Sequence, residues 1–275
     1  PPPFQAASAM EGVMLLLWAA LLGACVGSFT NVVVWRLPRG ESVVFPGSHC
    51  PRCGHAVRWH DNLPLLGWLL LRGRCRDCQA PISWRYPAVE ALSAALWLSA
   101  LAVADNGGGD LPLWLLPWVG LPLIALLLPL VLIDLDHLWL PEPLCRWGLV
   151  LGLVLSASAG IPVLADHLIA ACLALLLMES ISALAERALG QPALGLGDAK
   201  LAAMGGAWLG AAGIAAAMAL AVVAGALLGA AGRLSGRLQP RQAFPFGPFI
   251  ALGIWLVWLT GPLWWWQQWV HLLGL

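Results

Sequence analysis

The feature that most constrains this chain is a series of apolar runs long enough to cross a lipid bilayer. The first run, VMLLLWAALLGACVGSFTNVVVW at residues 13–35, contains no charged side chain. A helix needs roughly 20 apolar residues to span the hydrocarbon core, and only helices or closed barrels satisfy their backbone hydrogen bonds there. Over the whole chain 10% of residues are charged, against about 25% in soluble domains. The predicted fold class is therefore an all-α polytopic membrane protein.

The hydropathy pattern predicts about eight transmembrane helices, the sixth of which is short, rich in glycine and expected to be tilted or partly re-entrant. Residues 1–9, which precede Met10, resemble a vector-derived remnant and are expected to lie outside the fold. The first helix is then expected within 10–35, a cytoplasmic domain over 36–86 and a seven-helix core over 87–275. The candidate spans lie at residues 12–35, 87–104, 112–133, 144–160, 162–185, 199–211, 213–231 and 248–270.

The basic residues predict the orientation of these helices. Cytoplasmic loops of membrane proteins hold an excess of Lys and Arg. If the N-terminus lies outside, all 14 basic residues fall in or at the edges of the cytoplasmic loops. The outer side then holds acidic residues alone, at Asp105, Asp110 and Asp166. The predicted partner is a lipid bilayer; the net charge of zero gives no reason to expect nucleic acid, and nothing in the sequence indicates an oligomeric state.

Four cysteines in the largest loop have the spacing of a metal site. Cys50 and Cys53 form one C-x-x-C pair, Cys75 and Cys78 form a second, and 21 residues separate the pairs. This spacing is typical of a four-cysteine zinc ribbon, a closed site that holds a structural metal. A loop with so little apolar content needs such a metal to fold. The alternative, a redox pair or unpaired thiols, is less favoured because the loop is predicted to be cytoplasmic.

Two carboxylates are predicted at the same membrane boundary. Asp134 ends the third run, in VLIDLDHLWLPEPL, and Asp198 opens the sixth, in PALGLGDAKL. A carboxylate at that depth is costly unless it is paired, hydrated or functional. Two carboxylates brought together share a proton, so that one can act as a base and the other as an acid. Gly195 and Gly197 allow a backbone turn and the close passage of a peptide.

Simpler roles stay open for several of these residues. An aspartate at a helix N-terminus commonly caps the helix, and for Asp198 capping and catalysis are about equally favoured by the residues alone. Lys200 can pair with a carboxylate or a lipid phosphate, and Glu142 can cap a helix or pair with Arg146. Glu179, inside the fifth run, is expected either to face the helix bundle as a neutral acid or to be hydrated near the site.

Five segments, taken in order, resemble the type IV prepilin peptidases. GLGD at Gly195–Asp198 is the G-x-G-D signature of intramembrane aspartyl proteases, and IDLDHLWLPE resembles the first catalytic segment of that family. GSFTNVVVWRLPRGES, RYPAVE and FPFGPFIALG resemble further family segments. G-x-G-D alone recurs by chance, but five segments in order with paired C-x-x-C motifs are specific. Two departures are Glu142, where the family usually has Asp, and the absence of a Glu that commonly precedes G-x-G-D.

The resemblance implies an enzyme of the bacterial inner membrane that cleaves the basic leader from type IV prepilins and type II secretion pseudopilins after the leader Gly. It implies that Asp134 and Asp198 carry out the cleavage at the cytoplasmic face, with Gly195, Gly197, Lys200 and Glu142 in support. Cys50, Cys53, Cys75 and Cys78 would bind zinc. Family members with the cysteine domain often also N-methylate the new terminus with S-adenosylmethionine.

Three other functions fit the residues less well. A methyltransferase without protease activity is disfavoured by the intact GLGD segment. A zinc-organised membrane scaffold explains the cysteines but leaves Asp134 and Asp198 as costly groups without a purpose. A transporter fits poorly, because the ionisable residues cluster at one membrane face instead of the midplane.

Overall fold

The computed structural model describes residues 3–105, 116–190, 195–236, 239 and 244–273. Within these residues the regular structure is helical, with only isolated bridges and no strand, which confirms the all-α prediction for the described part of the chain. The helices are α1 (Pro3–Arg36), α2 (Leu66–Leu70), α3 (Arg85–Asp105), α4 (Leu116–His137), α5 (Glu142–Ser158), α6 (Ile161–Leu189), α7 (Leu196–Leu234), α8 (Gly247–Thr260) and α9 (Pro262–Leu273). Since α1 begins at Pro3, most of the residues assigned to a remnant are helical.

Four of these helices are long and apolar enough to cross a membrane, and a fifth span results if α8 and α9 are counted as one bent pair. The four spans are Gly12–Arg39, Gly120–His137, Ile161–Ala188 and Leu196–Leu234. Helix α5 has 17 residues and would reach about 25 Å at 1.5 Å per residue. The chain is thus a polytopic membrane protein by length and composition, and the figure of eight spans stays a prediction.

Helices α1 and α3, with the segment between them, belong to one compact unit, residues 1–105 with 120–129. The two helices lie so close that a Cβ atom on Gly27 would come within 2.7 Å of the Cα of Glu90. The intervening segment leaves α1 through Arg36, whose guanidinium donates to the carbonyls of Ser42 and Gly47. These contacts hold the start of the cysteine loop against the end of α1.

The second compact unit contains residues 106–119 and 130–275, and its main departure from a simple helix bundle lies within α7. Gly210 takes φ +68° and ψ −176°, a conformation open to glycine but not to helical residues. A Cβ on Gly205 would lie 2.8 Å from Cδ1 of Ile214, whereas nine residues of straight helix would separate them by about 13 Å. Helix α7 therefore doubles back at Gly210, and its two segments, 196–209 and 211–234, overlap the predicted sixth (199–211) and seventh (213–231) runs.

Two side chains of α6 satisfy the backbone that this reversal exposes. In an unbroken helix the N–H of Ala211 would donate to the carbonyl of Ala207. Here Ala211 N–H donates to Oδ2 of Asp166 at 3.1 Å, and Nδ1 of His167 lies 2.9 Å from the carbonyl of Ala207. Unpaired backbone groups are costly inside a membrane protein. Asp166, expected in an outer loop, lies instead within α6, because that helix begins at Ile161.

Helix α8 packs along both segments of α7. Ile254 contacts Gly205 in the first segment, and Gly253 approaches the carbonyl of Ala217 in the second. The predicted span over 248–270 consists of two helices joined by a bend, because α9 is turned by 99° from α8. Gly261, with φ +78°, makes the bend, and Pro262 follows it at the start of α9, where its missing N–H costs nothing.

Candidate active site and metal site

Asp134 lies in the last turn of α4, where the apolar run ends. Its side chain is buried, with the residue 5% exposed, and its Oδ2 accepts a hydrogen bond from the backbone N–H of Gly247 at 3.1 Å. Gly247 is the first residue of α8, so the carboxylate faces the positive end of that helix. The α4 terminus and the α8 terminus together position this carboxylate.

Asp198 lies in the first turn of α7 and is 9% exposed. Its Oδ2 accepts a hydrogen bond from the N–H of Gly195 at 3.2 Å, and its own N–H donates to the carbonyl of Gly195 at 3.0 Å. This is the side-chain half of a capping box, with the glycine carbonyl in place of a capping side chain. Asp198 therefore caps α7, which is one of the two roles considered for it. It also interacts electrostatically with Asp134.

Leu140 packs against Gly197 and Gly247, the glycines beside the two aspartates. A Cβ on Gly197 would lie 2.9 Å from Cβ of Leu140, and a Cβ on Gly247 would lie 3.3 Å from Cδ1 of Leu140 and 2.7 Å from Oδ2 of Asp134. Asp134 and Asp198, which are 64 positions apart in the sequence, interact electrostatically. The structure thus brings both buried carboxylates into one region. Residue 197 is a glycine because a larger side chain would collide with Leu140.

Lys200 and Glu142 form an ion pair beside this region. Nζ of Lys200 lies 2.8 Å from Oε2 of Glu142, and the side chains are 39% and 59% exposed. Arg146, the other partner considered for Glu142, adds only a weaker electrostatic attraction. An exposed pair of this kind stabilises little, so its value lies in holding the starts of α5 and α7 together.

The remaining acids of the predicted region are exposed. Asp136 lies at the surface two residues after Asp134, as does His137. Glu179 is exposed on α6, which disfavours the bundle-facing alternative. Burial therefore separates Asp134 and Asp198 from the other carboxylates nearby.

The four cysteines of the loop come together in the other unit. Their sulfur atoms all lie within 4.8 Å of one another, with 3.8 Å between Cys50 and Cys78 and 4.0 Å between Cys53 and Cys75. Zinc with four sulfur ligands at about 2.3 Å would hold them about 3.8 Å apart in a regular tetrahedron. The residues therefore fit a zinc ion, with no need for a histidine ligand.

Each C-x-x-C pair is a tight knuckle with the same hydrogen bonds. Cys50 N–H donates to the carbonyl of His55 at 2.9 Å, and Gly54 N–H donates to the carbonyl of Cys50 at 2.9 Å. The second knuckle repeats this pattern between Cys75 and residues 79 and 80. Gly54 at φ +73° and Gln79 at φ +58° occupy the equivalent left-handed position. Backbone N–H groups of Cys53 and Arg52 lower the pKa of Cys50 to about 6, which favours the thiolate that binds metal.

A half-buried ion pair joins the second knuckle to the rest of the loop. Nε of Arg76 donates to Oδ2 of Asp61 at 2.7 Å, and the Asp61 side chain is only 6% exposed. The Arg76 guanidinium holds the pKa of Asp61 below its ordinary value. This pair links the short 3₁₀ helix Trp59–Asn62 to the residue that follows Cys75.

Two family models match the chain in succession. Residues 21–104 match the bacterial peptidase A24 N-terminal domain, and residues 121–230 match the type IV leader peptidase family. The chain is also 38% identical over 242 residues to a prepilin leader peptidase/N-methyltransferase of Myxococcus xanthus, covering 86% of this chain and 70% of that protein. The chain belongs to the type IV leader peptidase family.

Other relatives align with this chain over a larger share of their own length. A prepilin leader peptidase/N-methyltransferase of Aeromonas hydrophila is 35% identical, with 88% of this chain and 89% of that protein aligned. A type 4 prepilin-like proteins leader peptide-processing enzyme of Escherichia coli is 35% identical, with 86% and 90% aligned. No solved structure matches the chain.

Two residues that lie near the aspartates, Leu140 and Gly247, were not predicted from the sequence. The signal for Gly247 was present in FPFGPFIALG, where Gly-Pro precedes an apolar run and so marks a helix start. The sequence could not show that this helix start contacts Asp134, because 113 positions separate Gly247 from Asp134. Leu140 had no signal at all, since an isolated leucine in an apolar chain is ordinary.

Proposed function

We propose that this protein cleaves the leader peptide of type IV prepilins and type II secretion pseudopilins after the leader glycine, and then N-methylates the new terminus. The observation that carries the proposal is the pair of buried, interacting carboxylates, Asp134 and Asp198, in a member of the leader peptidase family. Relatives over most of the chain are named for both activities.

Cleavage proceeds by general acid–base chemistry on a water molecule held between the two aspartates. One carboxylate is ionised and takes a proton from the water, which attacks the carbonyl carbon of the leader glycine. The other is protonated and donates to the carbonyl oxygen, which gives a gem-diol. As the gem-diol collapses, a proton passes to the leaving amine, and no covalent enzyme intermediate forms. Gly247 and Gly195 keep the two carboxylates in place by their N–H groups.

The active site faces the cytoplasm of the inner membrane, and the N-terminus lies outside. The distribution of Lys and Arg supports this orientation. The prepilin helix enters from the bilayer with its basic leader at the membrane surface. The domain at 36–86 is held together by structural zinc on its four cysteines and takes no part in peptide hydrolysis.

The test is processing of a purified prepilin by the protein in lipid nanodiscs, followed by mass spectrometry of the product. Wild type is compared with Asp134→Asn, Asp198→Asn and Asp136→Asn. The first two variants should lose about 10²–10⁴-fold in cleavage rate. Asp136→Asn is the matched control, a neighbouring exposed aspartate that should retain the wild-type rate.

The alternatives predict other outcomes. Full cleavage by Asp134→Asn or Asp198→Asn would overturn the aspartate mechanism. A wild-type protein that methylates a mature N-terminus but never cuts the leader would be a methyltransferase only. Normal cellular function of the double variant would favour the zinc scaffold.

A further inference from the structure

The unit formed by α1, α3 and the cysteine loop contains a partly open cavity of about 720 Å³. The C-terminal half of α1, the first turns of α3 and the loop each contribute to its wall, including Asn31, Trp35, Trp68, Tyr86 and Glu90. Its volume falls within the range of about 300–1,000 Å³ typical of small-molecule sites. Neither proposed catalytic aspartate lines it, so the cavity calls for another ligand.

Two segments that the cleavage chemistry does not use meet in this cavity. GSFTNVVVWRLPRGES contributes Ser28, Asn31 and Trp35, and RYPAVE contributes Tyr86 and Glu90. Nδ2 of Asn31 donates to the carbonyl of Tyr86 at 3.2 Å, which ties the two segments together. Their side chains are thereby fixed around one space.

Glu90 places a buried carboxyl group in the wall of that space. The residue is 7% exposed, and its Oε2 accepts the N–H of Leu65 at 2.7 Å. No cationic side chain of the described residues pairs with it. Burying a carboxylate without a cation is costly, and Leu65 itself is held at φ +61°, a conformation unfavourable for leucine.

Most of the other charges around the cavity have partners, and the remaining two, Glu41 and Arg52, are exposed. Arg76 pairs with Asp61 and Arg58 with Asp77, and the Arg36 guanidinium is engaged by two backbone carbonyls. Glu90 is therefore the group that a cationic ligand would neutralise. The nearby rings of Trp35, Trp68 and Tyr86 suit such a ligand, because aromatic faces attract cations and stack on planar bases.

We infer that this cavity is the methyl-donor site, and that Glu90 faces the sulfonium of S-adenosylmethionine. The inference rests on the proposed methyltransferase function. The methyl donor carries a planar purine and a cation, and the cavity complements both features. Glu90 thereby favours the donor over its product. When the amine nitrogen of the peptide bonds to the methyl carbon, the carbon–sulfur bond breaks and its electron pair stays on sulfur. The sulfonium becomes a neutral thioether, and the amine releases a proton to water.

The test compares the affinities of S-adenosylmethionine and S-adenosylhomocysteine for the full zinc-loaded chain in detergent, by calorimetry. Glu90→Gln keeps an oxygen for the Leu65 N–H but removes the charge. It should weaken S-adenosylmethionine binding by about tenfold or more and S-adenosylhomocysteine binding by less than about threefold. Glu179→Gln, which removes an exposed carboxylate from α6, is the matched control and should change neither affinity.

A second measurement does not depend on the variant. Ultraviolet cross-linking of radiolabelled S-adenosylmethionine to wild type should label peptides from residues 25–36 or 63–90, whereas labelling confined to residues 120–273 would overturn the site. Equal affinities in wild type and Glu90→Gln would also overturn it, with the methyltransferase function intact if methylated product still forms. A wild-type protein that neither binds the donor nor methylates a cleaved prepilin would overturn both.

Discussion

The cysteine cluster and the aspartate pair are built by opposite strategies. The four cysteines lie within one loop, in two knuckles with the same local hydrogen bonds, and 28 positions separate the first from the last. The two aspartates come from different helices and are positioned by backbone N–H groups, one from a third helix. A locally built site should fail when its own ligands are changed, whereas a site built from helix ends should fail when packing shifts at a distance.

Removing the metal should give the largest effect. Cys53→Ser, or extraction of the metal with a strong chelator, should release the zinc and unfold residues 36–86, because structural zinc supplies on the order of 10 kcal/mol to such small domains. Limited proteolysis with metal analysis would show cleavage sites appearing in this segment. The matched control is Cys172→Ser, which changes an exposed cysteine of α6; the same proteolysis in that variant would contradict the prediction.

Adding one methyl group at Gly247 should damage the aspartate pair although neither aspartate is replaced. The new Cβ would lie 2.7 Å from Oδ2 of Asp134, so Gly247→Ala should displace the carboxylate and slow leader cleavage by about 10–100-fold. Gly229→Ala, where a Cβ meets nothing within 4 Å, is the control for helix effects. Equal cleavage rates in the two variants would mean that packing does not set the aspartate geometry.

A smaller effect is expected from the ion pair inside the cysteine loop. Arg76 lowers the pKa of Asp61, so this group stabilises the folded loop above its unfolded pKa and ceases to do so as pH falls through the folded value. Asp61→Asn should therefore make the loop more sensitive to protease at pH 7. The difference from wild type should shrink as the pH is lowered below about 4. A constant difference at all pH values would assign the effect to packing rather than charge.

The smallest effect should come from the Lys200–Glu142 pair. Both side chains are partly exposed, so Glu142→Gln should change cleavage of a leader by less than about fivefold. A double-mutant cycle with Lys200→Met would measure the coupling. A much larger loss for Glu142→Gln alone would instead mean that Glu142 binds the basic leader directly.

The same contrast explains which parts of the molecule could be predicted from sequence. Membrane helices and the cysteine site depend on local composition and on spacing within one loop, and both could be predicted. The bend at Gly261 was missed because the apolar pattern continues through it. The link from Gly247 to Asp134 was missed because it depends on the packing of helices far apart in the chain. Asp166 and His167 carried no local signal, since their role exists only after α7 reverses.

The reversal at Gly210 also determines where the two ends of α7 lie. A helix that returns on itself brings its two ends together, so Gly195 and Leu234 lie at the same end of the hairpin. A straight helix over residues 196–234 would instead separate its two ends by about 60 Å. One glycine, held by an aspartate and a histidine from the neighbouring helix, thus allows α8, which follows the hairpin, to bring its N–H to the carboxylate beside Asp198.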